Sequence, residues 1–260
     1  MRETTARPFP VLVFHSVADR PGSSIWTLPT DDFRRHAEAI AASGRTSLTF
    51  GELAEALHER RVPPDAVVVT FDDGFADNIP AAEVCAELGL RATVFVTTDY
   101  IGRERMLTDD QVRELAAMPN VEVGSHTLSH RRLDELPRHE IHRELHDSRA
   151  RLEILLSSPV TTLAYPHGNY DERVKEIAAD LGYRGAAAVR LALSHPGDDP
   201  YAVARHFVTT GTTDAEVAAL LAGTGRVAPR HERVVTRGYR WVRRARAMAR
   251  GGTTATPPAA

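Results

Sequence analysis

The stretch that most constrains this chain is Ala66-Val67-Val68-Val69-Thr70-Phe71. Six residues pass with no polar alternation and with mostly β-branched side chains, the pattern of a strand covered on both faces. Such a strand needs helices on either side, and the rest of the chain supplies them. Residues 10–15, 91–97, 121–124, 161–165, 183–189 and 204–208 read as further strands. Helical spacing runs over 31–43, 49–58, 79–88, 108–118, 137–156, 171–181 and 215–221. Thr49 with Glu52, Thr108 with Gln111, and Thr213 with Glu216 mark helix starts as capping boxes. Strand and helix thus alternate from residue 10 to residue 221, which implies a parallel sheet with helices outside it. A barrel or an open doubly wound sheet satisfies that order. No glycine-rich phosphate loop follows any strand, which disfavours the dinucleotide-binding form. The expected fold class is therefore α/β, an irregular (β/α) barrel with parallel strands and outer helices. Chemistry in a barrel collects at the C-terminal ends of the strands.

Composition narrows the context. The net charge of −3 gives no nucleic-acid signature, so no nucleic-acid partner is expected. Cys85 is the only cysteine, which excludes an intramolecular disulfide, and it falls in an apolar helical pattern as a buried residue. Residues 1–8 contain no apolar leader core, and no run is long enough to span a membrane. A cytoplasmic location is the simplest expectation. Residues 226–250 are rich in arginine, interleaved from 234 to 249 with Val, Tyr, Trp and Met. That pattern suits a helix on an anionic membrane surface, and equally a solvated helix packed on the barrel. The organisation expected is a catalytic domain over 8–222, an arginine-rich segment over 223–250 and a disordered tail over 251–260.

Three polar constellations follow predicted strands. Thr70-Phe71-Asp72-Asp73-Gly74 ends the strongest one. Adjacent carboxylates at a strand end point in different directions and can take different roles, although an Asp/Gly turn in solvent has the same composition. Gly124-Ser125-His126-Thr127-Leu128-Ser129-His130 ends a second. Histidines four apart on one helical turn can chelate one ion, or can be incidental to a polar loop. Leu163-Ala164-Tyr165-Pro166-His167-Gly168-Asn169-Tyr170-Asp171 follows a third. Its Pro and Gly could aim a backbone N–H at an oxyanion, or serve an ordinary strand-to-helix loop. His139, His142 and His146 share a charged helix and read as solvated surface.

Together, in this order, the three constellations resemble the polysaccharide deacetylase family, the chitooligosaccharide-deacetylase homology domain of carbohydrate esterase family 4. The resemblance covers residues 8–222 and is carried by Thr-Phe-Asp-Asp-Gly and Ser-His-Thr-x-x-His. Phe14-His15-Ser16-Val17 looks like the opening of the branch acting on poly-N-acetylglucosamine-type substrates. The resemblance implies one divalent metal held by Asp73, His126 and His130. Zinc is the usual ion, with cobalt, nickel or manganese as alternatives. It implies Asp72 as general base, a backbone N–H near His167 at the oxyanion, and an acetylated sugar as substrate. An N-acetylglucosamine unit in a polysaccharide, oligosaccharide or glycolipid fits. A glycolipid would suit a membrane-peripheral enzyme.

The chain departs from the family pattern in several places. Ala164 stands where an arginine usually orients the catalytic aspartate, and His167 stands where a tyrosine is usual. Arg205, at the start of a late strand, is the candidate replacement, unless it forms a surface salt bridge. Leu193-Ser194-His195 matches the late motif that supplies the general acid, making His195 the first candidate, with His15 and His206 as alternatives. His15, Arg205 and Tyr165 are expected to contact substrate, and His167 and His195 to join Asp72 in catalysis. The fourth motif's Asp-Trp feature is missing. O-acetyl ester hydrolysis, hydrolysis of a non-sugar amide, and a non-catalytic carbohydrate-binding barrel are the competing readings.

Overall fold

A computed structural model describes residues 7–19 and 24–227 of the chain. The strands are β1 (Val11–Phe14), β2 (Ser16–Val17), β3 (Thr27–Leu28), β4 (Thr46–Leu48), β5 (Ala66–Phe71), β6 (Ala92–Val96), β7 (Val121–Ser125), β8 (Thr162–Ala164), β9 (Gly185–Ala187) and β10 (His206–Phe207). The helices are α1 (Thr30–Ala42), α2 (Phe50–His58), α3 (Asn78–Glu87), α4 (Asp109–Ala117), α5 (Arg138–Leu156), α6 (Glu172–Asp180) and α7 (Asp214–Leu221). All three expected capping boxes are formed, each with the threonine and the residue three on bonding reciprocally.

The main sheet runs β10-β1-β5-β6-β7-β8-β9 with every pairing parallel. β5 is buried along its whole length, as its composition requires. It is flanked by β1 on one side and, on the other, by β4 against its first half and β6 against its second. The sheet curls back on itself through residues 203–207. Ala187 pairs with Val203, and His206 and Phe207 pair with Leu12 and Val13. The result is an irregular (β/α) barrel. The segments read as strands over 183–189 and 204–208 are therefore shorter than expected, because the chain changes partner within a few residues. β2, β3 and β4 have two or three residues each and carry no readable alternation.

A continuous apolar core that includes Leu12, Phe14, Val67, Val69, Phe71, Val94 and Val96 lies between the sheet and the outer helices, packed with Phe33 of α1, Cys85 of α3 and Val217 of α7, while Val11, Val68, Phe95, Ala164, Ala187 and Val203 cluster on the opposite face of the strands. Cys85 is buried on α3, and burial pushes its thiol up to about 12, so it behaves as a small apolar residue. Among the described residues, no helix is long and apolar enough to cross a membrane. Most of the arginine-rich segment, from residue 228, and the 251–260 tail lie outside the described residues.

Candidate active site at the strand ends

The ends of β5 and β7 bring the two strongest motifs together across β6. The carboxylate face is set by backbone conformation. Asp73 and Gly74 both adopt positive φ, 74° and 85°, so the chain reverses within two residues of β5. Gly74 accepts this freely, and aspartate is among the few side chains that tolerate it. A β-carbon at Gly74 would also stand 3.2 Å from the Val96 side chain. On β7, His126 donates its backbone N–H to the Val96 carbonyl at 2.9 Å, and the chain then turns through left-handed Thr127 (φ 70°) and His130 (φ 62°). The two histidines therefore meet through a strained loop, not through the helical turn that their spacing suggested.

Asp73, His126 and His130 present donor atoms that all lie within 4.8 Å of one another. The Nε2 atoms of His130 and His126 stand 3.3 and 3.5 Å from Asp73 Oδ1. That oxygen is buried and accepts no hydrogen bond, an expensive arrangement for a carboxylate that nothing else compensates. His126 donates its Nδ1–H to the Ala164 carbonyl at 2.8 Å, since a carbonyl can only accept, which leaves a lone pair on Nε2 facing the group. Two imidazoles and one carboxylate form the donor set of a catalytic divalent-metal site. The residues present fit such an ion. Without one, burial and the adjacent Asp72 charge push the Asp73 carboxyl up to about 8. Burial, with His126 and His167 nearby, pushes His130 down to about 2.

Asp72 points elsewhere and has a different partner. Arg205 donates from Nη1 to Asp72 Oδ1 and from Nη2 to Oδ2, each at 2.7 Å. It also donates to Thr70 Oγ1 at 3.0 Å and, through Nε, to the Ala188 carbonyl at 3.2 Å. Arg205 is fully buried in the barrel, so it is no surface ion pair. Burial works to raise the Asp72 pKa. The Arg205 guanidinium, then His126, outweigh it and hold Asp72 well below the usual carboxylate range. The pairing with Arg205 thus favours the ionised form of Asp72.

The other sequence candidates separate. His15 follows β1, whose Phe14 carbonyl accepts the Asp72 N–H at 3.0 Å, so His15 and Asp72 are strand-end neighbours. Burial, against the opposing pull of Asp72, brings His15 down to about 4. The His167 ring lies 4.7 Å from that of His130, in a turn with φ 58°. His195 is at the wrong end of the barrel. Ser194 and Phe9 exchange backbone hydrogen bonds of 2.9 Å, and Phe9 precedes His15 by six residues of extended chain, roughly 20 Å. His195 Nδ1 instead accepts the Gly197 N–H at 3.2 Å. The structure thus places His195 away from His15 and Asp72. Tyr165 is fully buried, stacks on Tyr170 and donates its hydroxyl to the Tyr201 carbonyl at 3.0 Å, so it packs in the core. His206 donates its Nδ1–H to its own neighbour's carbonyl, Phe207, at 3.0 Å. His139, His142 and His146 are exposed on α5.

Three supporting features carried no clear sequence signal. Glu144, buried on α5, accepts the Ser129 N–H at 2.9 Å and the Ser129 hydroxyl, while its backbone carbonyl accepts the Leu128 N–H at 3.1 Å. This fastens the loop between the two histidines. Asp77 accepts from Ser16 Oγ (2.7 Å) and the Val17 N–H (3.0 Å), and Asn78 donates to the His15 carbonyl (2.7 Å). Trp26 and Phe207 pack against His15.

The polysaccharide deacetylase family model matches residues 59–186, which include both strand-end motifs. YxkH of Bacillus subtilis (strain 168) is 28% identical over 214 residues, covering 82% of this chain and 75% of that protein. The solved structure of IcaB from Ammonifex degensii superposes with a TM-score of 0.73 at 26% identity, over 83% of this chain and 97% of that one. The Streptococcus pyogenes deacetylase PplD, solved in complex with acetate, shares the fold with a TM-score of 0.76 at 22% identity, over 84% and 99% of the two chains. Motif order, barrel architecture and the matched region agree: residues 59–186 match a polysaccharide deacetylase domain.

Proposed function

We propose that this chain is a metal-dependent deacetylase that hydrolyses the N-acetyl amide of an acetylated sugar. The observation that carries the reading is the division of labour between two adjacent aspartates. Asp72 is paired to a buried arginine, and Asp73 is left facing two imidazole nitrogens. A carbohydrate-binding barrel has no use for an ionised base beside an open triad of metal donors. Asp73, His126 and His130 would hold a divalent ion, which would supply a Lewis acid for the acetyl carbonyl and make water easier to deprotonate.

Asp72 takes a proton from water, and the oxygen attacks the acetyl carbon as the C=O bond opens. Arg205 keeps the Asp72 carboxylate in one orientation for that step. The turn at His167 borders His130 and offers its backbone to the developing oxyanion. The C–N bond breaks only as the nitrogen gains a proton, because an amide anion is a very poor leaving group. His15, beside Asp72, is the imidazole placed to deliver it. The products are acetate and a free amine on the sugar.

The test is metal content together with acetate release from N-acetylglucosamine oligomers, on the wild type and on His126→Ala. About one zinc-class ion per chain, lost together with activity in the variant, supports the reading. Bound metal without acetate release keeps the site and redirects the search to acetyl esters and non-sugar amides. A wild type that binds no metal after reloading with zinc, cobalt or nickel sinks the catalytic reading.

A further inference from the structure

The rim beside His15 carries an aromatic group that no step above uses. Trp26, Phe207 and His15 form a triangle of rings with centroids 4.9 Å (His15–Trp26), 5.8 Å (His15–Phe207) and 4.7 Å (Trp26–Phe207) apart. Phe207 meets Trp26 at 61°, edge to face, and backs the indole. Trp26 remains partly exposed, and its neighbour Ile25 is 59% exposed.

The backbone under this rim is fastened at several points. β2 pairs with β3, with Ser16 opposite Thr27. The Trp26 carbonyl accepts the Ser16 N–H at 3.2 Å, and the Ile25 carbonyl accepts the Thr210 N–H at 3.1 Å. Trp26 also donates its N–H to Ser24 Oγ at 3.3 Å. An exposed indole costs hydration free energy, and here it is held rigid at the mouth of a polar site and left only partly covered. Core packing alone does not require that. A fixed aromatic face with a half-open side suits a flat ligand surface bearing C–H groups.

We propose that Trp26, backed by Phe207 and abutting His15, is a binding platform for the apolar face of a pyranose ring, next to the position where the acetamide is cleaved. The proposal rests on the deacetylase reading for its choice of a sugar. Through His15, the platform is continuous with Asp72. It therefore sets which sugar, and how much of its neighbour, can be held during the reaction. Trp26 is thus a specificity-determining residue supplied by the rim at the parallel β2–β3 pair.

The chain has two tryptophans, so Trp241→Phe leaves Trp26 as the sole indole reporter. The experiment adds N-acetylglucosamine tetramer to this variant. It reads the emission within the mixing time and acetate afterwards, with Trp26→Ala and Trp26→Tyr assayed in parallel. The expected results are a shifted or quenched Trp26 emission that saturates with tetramer, and a KM raised about tenfold in Trp26→Ala with kcat changed less than threefold. Trp26→Tyr should restore most of the loss, since its ring still stacks. Emission that ignores saturating tetramer while acetate is released overturns the platform. So does a Trp26→Ala variant, folded by circular dichroism, that loses kcat with KM unchanged. A saturable emission shift without acetate release supports the platform and counts against the deacetylase reading alone. Neither shift nor acetate overturns both.

Discussion

At the residue scale, the decisive contact is the two-pronged ion pair from Arg205 to Asp72. The guanidinium fork matches the carboxylate geometry, and an ammonium cannot reproduce both bonds. Arg205→Lys is therefore expected to keep the fold but lose kcat by about a hundredfold, as Asp72 gains rotational freedom. Arg205→Met removes the buried countercharge altogether. It should also cost about 3–5 kcal/mol of stability, because an unpaired carboxylate is left in the barrel. Urea unfolding and acetate release on the two variants separate the effects, and a fully active Arg205→Lys would remove Arg205 from the mechanism. His15 makes a different prediction. If it protonates the leaving nitrogen, His15→Gln should slow amide hydrolysis far more than hydrolysis of an aryl acetate, whose phenolate leaves without a proton. Equal losses on N-acetylglucosamine oligomers and 4-nitrophenyl acetate would assign His15 to binding instead.

At the element scale, the site depends on how helices fasten loops. α5 holds the loop between His126 and His130 through Glu144, which takes three hydrogen bonds from it. Glu144→Ala should weaken zinc binding by about 10–100-fold, the usual cost of losing a group that orients a ligand. A competition titration with a chromophoric chelator reads this, and an unchanged affinity would reduce Glu144 to a packing role. On the opposite flank, α1 buries His36, with Nε2 3.2 Å from the exposed carboxylate of Asp214 on α7. Burial wins over that partner and lowers the His36 pKa. The folded state thus favours neutral imidazole. Its contribution is whole above the unfolded pKa near 6.5 and is lost as pH falls through that value toward the lower folded one. Melting from pH 8 to pH 5 should show a drop that His36→Leu reduces. Much of this architecture was legible in the chain. The β5 run, the three capping boxes and the Asp-Asp-Gly and His-x-x-x-His motifs follow local rules of burial and capping. Arg205 was legible as a candidate to orient Asp72, although the two lie 133 positions apart in sequence. What escaped was non-local: nothing near Glu144 marks which of many charged residues on α5 faces inward. The His195 motif was also hard to place, because three residues cannot say which end of a barrel they occupy.

At the scale of the whole molecule, the metal donors join parts of the barrel that the sheet itself keeps apart. Asp73 follows β5, and His126 and His130 follow β7, with β6 between them. An ion shared by those donors ties β5 to β7 across β6 at one end, and it binds the folded chain alone, because only folding assembles the group. Stability should therefore rise with free zinc as RT ln(1 + [Zn]/Kd), about 2.7 kcal/mol at a hundred times the Kd. For a domain of this size that corresponds to a shift of roughly 5–10 °C in Tm. The same donors are a liability without metal. Asp73 is buried beside the charge of Asp72 and has an oxygen with no hydrogen bond, so the empty group strains the fold that creates it. Asp73→Asn removes the ionisable group while keeping the shape. It should melt no lower than the metal-free wild type and gain little or nothing from zinc. Thermal scans of both proteins in chelator and in zinc give four values that decide the matter. A large zinc shift retained in Asp73→Asn would mean that the ion sits elsewhere. A variant that melts well below the chelated wild type would mean that Asp73 holds the fold together through contacts of its own, and not as a ligand waiting for its metal.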